Sequence, residues 1–528
     1  MKGLLTLVAL LAAATGAQAD LIEDLAALFL DARLHEVRTT TLDEYLFARE
    51  FREVSKSLRA DNPDRQVDLD LLRLLIDRKI AHFELEDRWA EASSVGALPS
   101  SRAFDLVLLL PQAEGVARLD AAVQKMRSPE GPAARQLDMM RSHLARVQGA
   151  FGRASAVLRE EAGGRAPELR AAAERLEKAL DRLRSELEGV SPAPRAPPEP
   201  VRDPLRVYRF VIRHELFVDH TPDTLLDFAV RSYERTREQL EALARRIDAG
   251  ATWHGLVDKS KADRFTLETL HEESKKLALR ARDFAVEKGL VTIPEAARDF
   301  DVRPAPPDGL TPFGHYRGRG GRTLGTYVTA PVSDRMPAGE LAERLRDNNR
   351  YWTTIVSLHE AVPGHHLQHE VLRTVQRARI RRVVAPPTYV EGWGLYTEQM
   401  MFQNGYFGED PLFELTLLRM RLWRCARVVI DLGLQTGSLT RDEAVRLLVE
   451  GVRMEPVSAR AEVEHYGRRP GYFSGYLLGY DFFVGLRSRC EELKGARFQQ
   501  RNFHDRILQL GPLPPGPLES EMLRWARN

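Results

Sequence analysis

The sequence predicts a mainly α protein, a large helical body that carries one small β element. Two observations predict this fold class. Stretches rich in Ala, Leu, Arg and Glu, with apolar residues at helical spacing, fill residues 20–190, 205–290 and 338–528. The segment 300–333 is instead rich in Gly and Pro, and residues 324–330 are its one convincing short strand.

The composition is that of an ordinary globular protein, with 528 residues, 43% hydrophobic and 29% charged. The 77 basic and 76 acidic residues give a formal charge of +1, which does not favour a nucleic-acid partner. No stretch approaches the ~20 apolar residues of a membrane span. Cys425 and Cys490 are too few for a cysteine metal site, and the sequence leaves open whether they form a disulfide.

The amino terminus predicts a secretory signal peptide over residues 1–19. Lys2 supplies the positive start, residues 4–14 form an apolar run, and residues 17–19 (Ala-Gln-Ala) are a small-residue cleavage motif. Cleavage after Ala19 would leave a secreted or periplasmic protein that begins at Asp20.

Composition divides the rest of the chain into three parts. Residues 20–190 form an N-terminal helical region, and a Gly-Gly break at 163–164 predicts a helical hairpin within it. Residues 191–204 are a proline-rich connector. Residues 205–528 form the helical catalytic region, which we expect to make one continuous fold with the first.

The unusual segment is 357–368, Ser-Leu-His-Glu-Ala-Val-Pro-Gly-His-His-Leu-Gln. In helical zinc hydrolases, two histidines one turn apart bind the metal, and a Glu between them is the general base. Here His365 and His366 follow His359 by six and seven residues, which a straight helix would place on other faces or about 10 Å along the axis. Pro363 breaks the helix, so we expect a local bulge to return a histidine to the metal. His365 is favoured, with His366 as its partner or a substrate contact.

A Zn²⁺ site needs a third protein ligand. Glu391 is the best candidate, because it lies in an apolar context beside Gly392 and Gly394, which permit close packing on another helix. Glu398, seven residues on, lies on the same face and could orient a histidine ligand or replace one. Glu360, next to His359, is the predicted base.

The segments 359–368 and 389–396 resemble the signatures of the bacterial family called domain of unknown function 885. That family is similar to gluzincin-type helical zinc peptidases such as carboxypeptidase Taq and angiotensin-converting enzyme. The resemblance implies a helical body with a deep active-site cleft and Glu391 as third ligand. It also implies that an edge strand around 324–330, including Gly325, Thr326 and Tyr327, holds extended peptide by main-chain bonds.

Residues 424–433 and 462–479 resemble further family segments, and Arg427 in the first is a candidate substrate-binding residue. The chain departs from the family pattern at Gln435, where a His is expected, and at Leu477, where a Lys is expected. These departures motivate an alternative function, a non-catalytic periplasmic binding protein with a decayed metal site.

The leading hypothesis is a zinc-dependent metallopeptidase acting on peptides or small amides, with a zinc amidase or esterase as a further alternative. The oxyanion needs a donor besides zinc. Tyr476 is the first choice among a late cluster that also contains His465, Tyr466 and Tyr472. Arg468 and Arg469 could bind a substrate carboxylate, although such pairs are more often solvated surface.

Overall fold

The computed structural model describes scattered positions between 22 and 60, positions 178, 181 and 185, and residues 62–85, 204–305, 311–319, 323–375, 379–466 and 469–528. The predicted signal peptide lies outside these residues, and so does the predicted helical hairpin apart from positions 178, 181 and 185. The chain divides into two compact units, Met1–Arg202 and Asp203–Asn528, so the boundary lies within the proline-rich stretch.

In the first unit, helix α1 covers Pro63–Leu85. Asn62 caps this helix, because its side chain accepts a hydrogen bond from the main-chain N–H of Arg65 at 2.9 Å. Val67, Leu71 and Leu75 follow one another at helical spacing and are buried.

The second unit is mainly α, which confirms the predicted fold class. Its helices are α2 (Pro204–His214), α3 (Pro222–Ile247), α4 (Trp253–Ser260), α5 (Leu267–Glu287), α6 (Ala338–Asp347), α7 (Arg350–Glu360), α8 (His365–Thr374), α9 (Pro387–Gln403), α10 (Pro411–Thr436), α11 (Arg441–Val452), α12 (Pro456–Tyr466), α13 (Ser474–Lys494), α14 (Gln500–Leu510) and α15 (Pro515–Arg527). None of the helices in the described residues is both long and apolar enough to cross a membrane.

Helices α7, α9 and α10, which carry residues of the candidate site, pack within the core of this unit. Helix α7 is buried along residues 351–360 and packs against α5 and α9. Helix α9 lies along α13, where Gly392 and Gly479 bring the two backbones together: a Cβ on Gly392 would lie 2.5 Å from Gly479 Cα. Helix α10 packs against α3 and ends at Gly437, whose φ of 72° suits glycine.

The β element is a sheet of three short strands, β1 (Asp301–Arg303), β2 (His315–Arg317) and β3 (Thr326–Val328), in the order β1-β3-β2. Strand β3 pairs in parallel with β1 and antiparallel with β2. The strand predicted at 324–330 therefore exists, but it is central. The prediction that it is an edge strand is wrong, because both of its edges are already paired.

The two cysteines are buried and free. Burial raises the pKa of the Cys425 thiol to about 12 and that of Cys490 to about 11. Both therefore act as small apolar side chains in the core.

Candidate metal centre

Two helix ends meet where the sequence carries its histidines. Helix α7 ends at Glu360 and α8 begins at His365, so the connection is a four-residue turn. The break expected at Pro363 is present, and in place of a local bulge the chain makes a turn and starts a new helix, since Pro363 has no N–H for helical pairing. The turn is tied by the hydrogen bond from Gly364 N–H to Leu358 O, at 3.1 Å.

Gly364 makes this turn possible. A Cβ at this position would collide with the His359 carbonyl and would lie 2.7 Å from Leu358 O. Only glycine allows the two backbone segments to approach so closely. The last turn of α7 and the first turn of α8 consequently present His359, Glu360 and His365 to the same point.

The candidate ligand atoms lie close together on buried side chains. Glu391 Oε2 is 3.3 Å from His365 Nε2 and 3.9 Å from His359 Nε2. The two imidazole rings are 4.7 Å apart and nearly perpendicular. Ligand atoms of a tetrahedral zinc site with bonds near 2.1 Å are about 3.4 Å apart. These three side chains therefore fit a zinc ion after small adjustments.

Glu360 also lies within reach of this point. His359, Glu360 and His365 each offer one ligand atom within 4.8 Å of the others. Yet Glu360 Oε2 is 4.0 Å from His365 Nε2, farther than the Glu391 oxygen. Two carboxylates thus face the histidines at different distances, and the nearer one, Glu391, suits a ligand.

Glu398 holds the His359 ring in place. His359 Nδ1 is hydrogen bonded to Glu398 Oε1 at 2.8 Å, and Arg424 Nη2 lies 3.4 Å from the same oxygen. With the Nδ1 proton donated to a carboxylate, the lone pair of Nε2 is available to a metal ion. Gly394 leaves room for this ring, since a Cβ there would lie 2.6 Å from His359 Nε2.

The electrostatics of the cluster favour added positive charge. Burial raises the pKa of Glu360 above its usual value, although the two histidines and a hydrogen bond from the main-chain N–H of Tyr316 oppose the rise. Burial alone would lower the pKa of His365, but Glu391 and Glu360 outweigh it and raise that pKa. The same pairing holds the pKa of Glu391 low despite its burial. A divalent cation would balance both carboxylates.

A cavity of about 360 Å³ opens beside these residues. Most of the predicted site residues line it, together with three arginines and further histidines. The lining includes His315, His359, Glu360, His365, His369, Glu391, Arg424, Arg427, His465, Arg469, Tyr472 and Tyr476. Burial lowers the pKa of His315 and of His369 to about 4, so both rings are neutral at pH 7.

Not all of the predicted oxyanion donors line the cavity. Tyr476 and His465 line the cavity. Tyr466 lies outside the lining and is fully buried, and its hydroxyl donates to Glu462 at 2.6 Å and accepts from Arg427 Nε. Arg427 itself lines the cavity, but its Nη2 also donates to Glu462, at 2.9 Å.

Sequence reasoning gave Tyr472 no separate role. Its hydroxyl donates to Glu391 Oε1 at 2.5 Å, which leaves Oε2 to face the two imidazoles. A tyrosine 81 residues from its partner leaves no spacing signal in a sequence. Only the packing of α13 against α9 brings them together.

His366 faces away from the cluster. Its ring packs against Phe300 at 5.3 Å and Tyr316 at 5.8 Å, and burial lowers its pKa to about 4. A Cβ on Gly325 would lie 2.8 Å from His366 Nδ1, so this glycine accommodates the ring. His366 therefore supports the sheet from behind.

The predicted substrate contacts Gly325, Thr326 and Tyr327 do not line the cavity. Gly325 O accepts from Asp301 N–H at 2.9 Å, and the next two residues belong to the central strand β3. The strand that borders the cavity is β2, through His315 and Tyr316. It was missed because it lies in a Gly- and Pro-rich segment that lacks an alternating apolar pattern.

The two departures from the family pattern lie off the cavity wall. Leu477 is buried in an apolar cluster with Leu216, Leu225 and Cys425. Gln435 is partly buried near the end of α10. Neither residue lines the cavity that contains the histidines.

Fold and site together define a mainly helical protein with a candidate centre of two histidines and one glutamate. The sequence matches the family described as "Bacterial protein of unknown function (DUF885)" over residues 12–522, and the chain belongs to that family. No curated protein matches the chain.

Two solved structures share the fold. One is described as a "putative lipoprotein of unknown function" from Shewanella oneidensis; it is 18% identical, with a TM-score of 0.61 over 98% of this chain and 99% of that one. The other, a "putative lipoprotein" from Colwellia psychrerythraea, is 21% identical, with a TM-score of 0.54 over 90% of this chain and 78% of that one.

Proposed function

We propose that this protein is a zinc-dependent hydrolase, and more specifically a metallopeptidase that cleaves short peptides. The observation that carries the proposal is the convergence of His359, His365 and Glu391 beside Glu360 on one cavity wall. Hydrolytic zinc sites use such a set of three protein ligands and leave one position open. The resemblance to gluzincin-type peptidases supports the same chemistry.

His359, His365 and Glu391 would hold the metal. A bound zinc ion would supply Lewis acidity and lower the pKa of water at the site. Glu360, whose pKa is raised by burial, would accept the proton of the attacking water and return it to the leaving nitrogen. The Tyr316 main chain and the two histidines favour the charged form of this carboxylate and so oppose the effect of burial.

The remaining wall would stabilise and hold the substrate. Tyr476 and His465 supply donors for the developing oxyanion. Strand β2 takes the place expected of 324–330, because β2 is an edge of the sheet and borders the cavity. An edge strand has one side that is not paired within its own sheet. An extended peptide could pair with the main chain of β2 on that side.

The cavity and the relatives support two further parts of the proposal. A volume of about 360 Å³ is at the small end of ligand pockets, which favours short peptides or small amides. The two similar structures are each described as a "putative lipoprotein", which supports an envelope or extracellular location. We place this chain in the periplasm or medium, processed after Ala19.

The decisive variant is Glu360→Gln. Gln is nearly isosteric but cannot accept a proton, so we expect zinc content and fold to be kept and turnover to fall by about 10²–10⁴-fold. Glu450→Gln, at an exposed position on α11, is the matched control. Activity is measured on a peptide library and on ester and amide substrates, with and without chelator, by mass spectrometry.

Four outcomes would contradict parts of this scheme. Near-native turnover by Glu360→Gln would exclude Glu360 as the base. Loss of zinc from that variant would make Glu360 a ligand. Stoichiometric zinc without turnover of any substrate would favour the binding-protein alternative, and turnover of esters or amides alone would favour a non-peptide hydrolase.

A further inference from the structure

Three arginines line the cavity, and each is held differently. Arg424 and Arg427 lie on α10, with their guanidinium carbons 4.4 and 3.8 Å from the centroid of the Trp423 ring. Arg427 is paired with Glu462, since its Nε and Nη2 both donate to that carboxylate. Arg469 lies beyond α12, with its guanidinium 3.6 Å from the centroid of the Tyr472 ring.

Arg424 lines the cavity and has one N–H donor without a partner among the described residues. Its side chain is only 5% exposed; Nη1 donates to Met420 O at 3.2 Å and Nη2 lies 3.4 Å from Glu398. Its Nε has no hydrogen-bond partner in the part of the chain that the structure describes. A buried guanidinium N–H without a partner is costly. Since Nε itself has almost no accessible surface, an anion in the cavity would meet it only after a shift of the Arg424 side chain.

Arg469 has no counter-charge among the described residues. No carboxylate of the described ranges pairs with it, and its side chain is exposed. The Tyr472 ring on which it stacks donates its hydroxyl to Glu391. A single tyrosine ring therefore separates this cation from a candidate metal ligand.

The charges of the wall add up to an excess of positive charge when a divalent cation is bound. Arg427 is balanced by Glu462, and Arg424 by Glu398. The cation would balance Glu360 and Glu391, and Arg469 then remains without a counter-charge. A cavity lined by one excess charge attracts ligands of the opposite sign.

We propose that Arg469, with Arg424 as a second donor, forms a subsite that binds a substrate carboxylate next to the cleaved bond. This inference rests on the proposed function, because it names the substrates of the same site. An extended peptide advances about 3.3–3.6 Å per residue, so a group one or two residues from the metal reaches past a tyrosine ring. The carboxylate is either the free carboxyl terminus or an acidic side chain.

The test compares substrates that differ only in this group. One pair has a free carboxyl terminus or its amide, and the other has Glu or Gln next to the cleaved bond. For the wild type we expect kcat/KM to be about 10- to 100-fold higher for the carboxylate member of at least one pair, since a hydrogen bond to a charged group has that effect. The pair that responds identifies the source of the carboxylate.

Variants then assign the preference to residues. Arg469→Ala should abolish it, Arg469→Lys should keep part of it, and Arg460→Ala, which removes an exposed arginine of α12 outside the cavity, should leave it unchanged. Arg424→Lys keeps a charge beside Glu398 but lacks the Nε donor. It should therefore lower kcat/KM for the same carboxylate substrates and leave the zinc content unchanged. Equal losses on both members of a pair, or no preference in the wild type, would overturn the proposal.

A binding measurement separates this proposal from the proposed function. Acetyl-Ala-Glu and its diamide are titrated calorimetrically into zinc-loaded Glu360→Gln protein, with and without Arg469→Ala. Tighter binding of the free acid that is lost with Arg469→Ala supports the subsite even if no peptide is hydrolysed. Equal binding of acid and diamide refutes it even if peptides are hydrolysed.

Discussion

Replacing Gly394 with Ala tests the candidate metal centre without touching any ligand. A Cβ at position 394 would lie 2.6 Å from His359 Nε2, which is about 0.8 Å short of the 3.4 Å at which ordinary van der Waals contact begins. Helix α9 cannot retreat to relieve this contact, since Gly392 on the same helix already lies against Gly479 of α13. The His359 ring must therefore move.

A movement of about 0.8 Å is large for a metal ligand, whose bond lengths hold within about 0.2 Å. Loss of an outer contact typically reduces metal affinity by about 10–100-fold. We expect Gly394→Ala, which displaces the ligand itself, to weaken zinc binding by at least about 100-fold. The assay is competition with a chelator of known affinity, together with zinc content by mass spectrometry.

Gly485→Ala is the matched control, because it lies within helix α13 and a Cβ there meets nothing within 4 Å. It should leave zinc binding unchanged and stabilise the fold by about 0.5–1 kcal/mol. If Gly394→Ala folds and binds zinc as tightly as the wild type, then His359 is not a ligand in the arrangement described.

Two further predictions concern Glu398, which is hydrogen bonded to His359, and Asp431, which accepts a hydrogen bond from the Gly471 N–H. Glu398→Gln removes the charged acceptor of the His359 Nδ1 proton and should raise the zinc dissociation constant by about 10–100-fold in the same competition assay. Burial raises the pKa of Asp431 to about 8, so the folded state keeps a proton that the unfolded state loses near pH 4. The free energy of unfolding should consequently fall between about pH 4 and 8, by at most about 1.4 kcal/mol per pH unit. Asp431→Asn should flatten this slope in urea unfolding series, and an unchanged slope would assign it to other groups.

Helices and motif residues were accessible to sequence reasoning for different reasons. Helical periodicity is local, so the mainly α fold followed from apolar spacing. His359 and His365 were candidates because a His-Glu pair followed by further histidines is typical of zinc hydrolases, and Glu391 because it lies in an apolar context. Their mutual distances, in contrast, depend on how α7, α8 and α9 pack, which spacing alone does not determine.

The sheet was predicted less well because strand order is a tertiary property. Residues 326–328 are apolar enough to be recognised as a strand, and they are buried for the same reason. The edge strand that borders the cavity is β2, whose sequence His-Tyr-Arg has no apolar alternation. A strand that faces a polar cavity needs polar side chains, so the signal used to find strands is weakest where a strand borders such a site.

The candidate centre depends on missing side chains as much as on its ligands. Gly364 lets α8 start against the end of α7, Gly394 gives the His359 ring its place, and Gly392 lets α9 lie on α13. The three candidate ligands come from the end of α7 and from near the starts of α8 and α9, so a metal would join three separate helices. The Pro-Gly break thus achieves with two helix termini what the usual spacing achieves on one helical face. It also leaves Glu360 beside the histidines, 4.0 Å from His365 Nε2, as the carboxylate that we propose moves a proton.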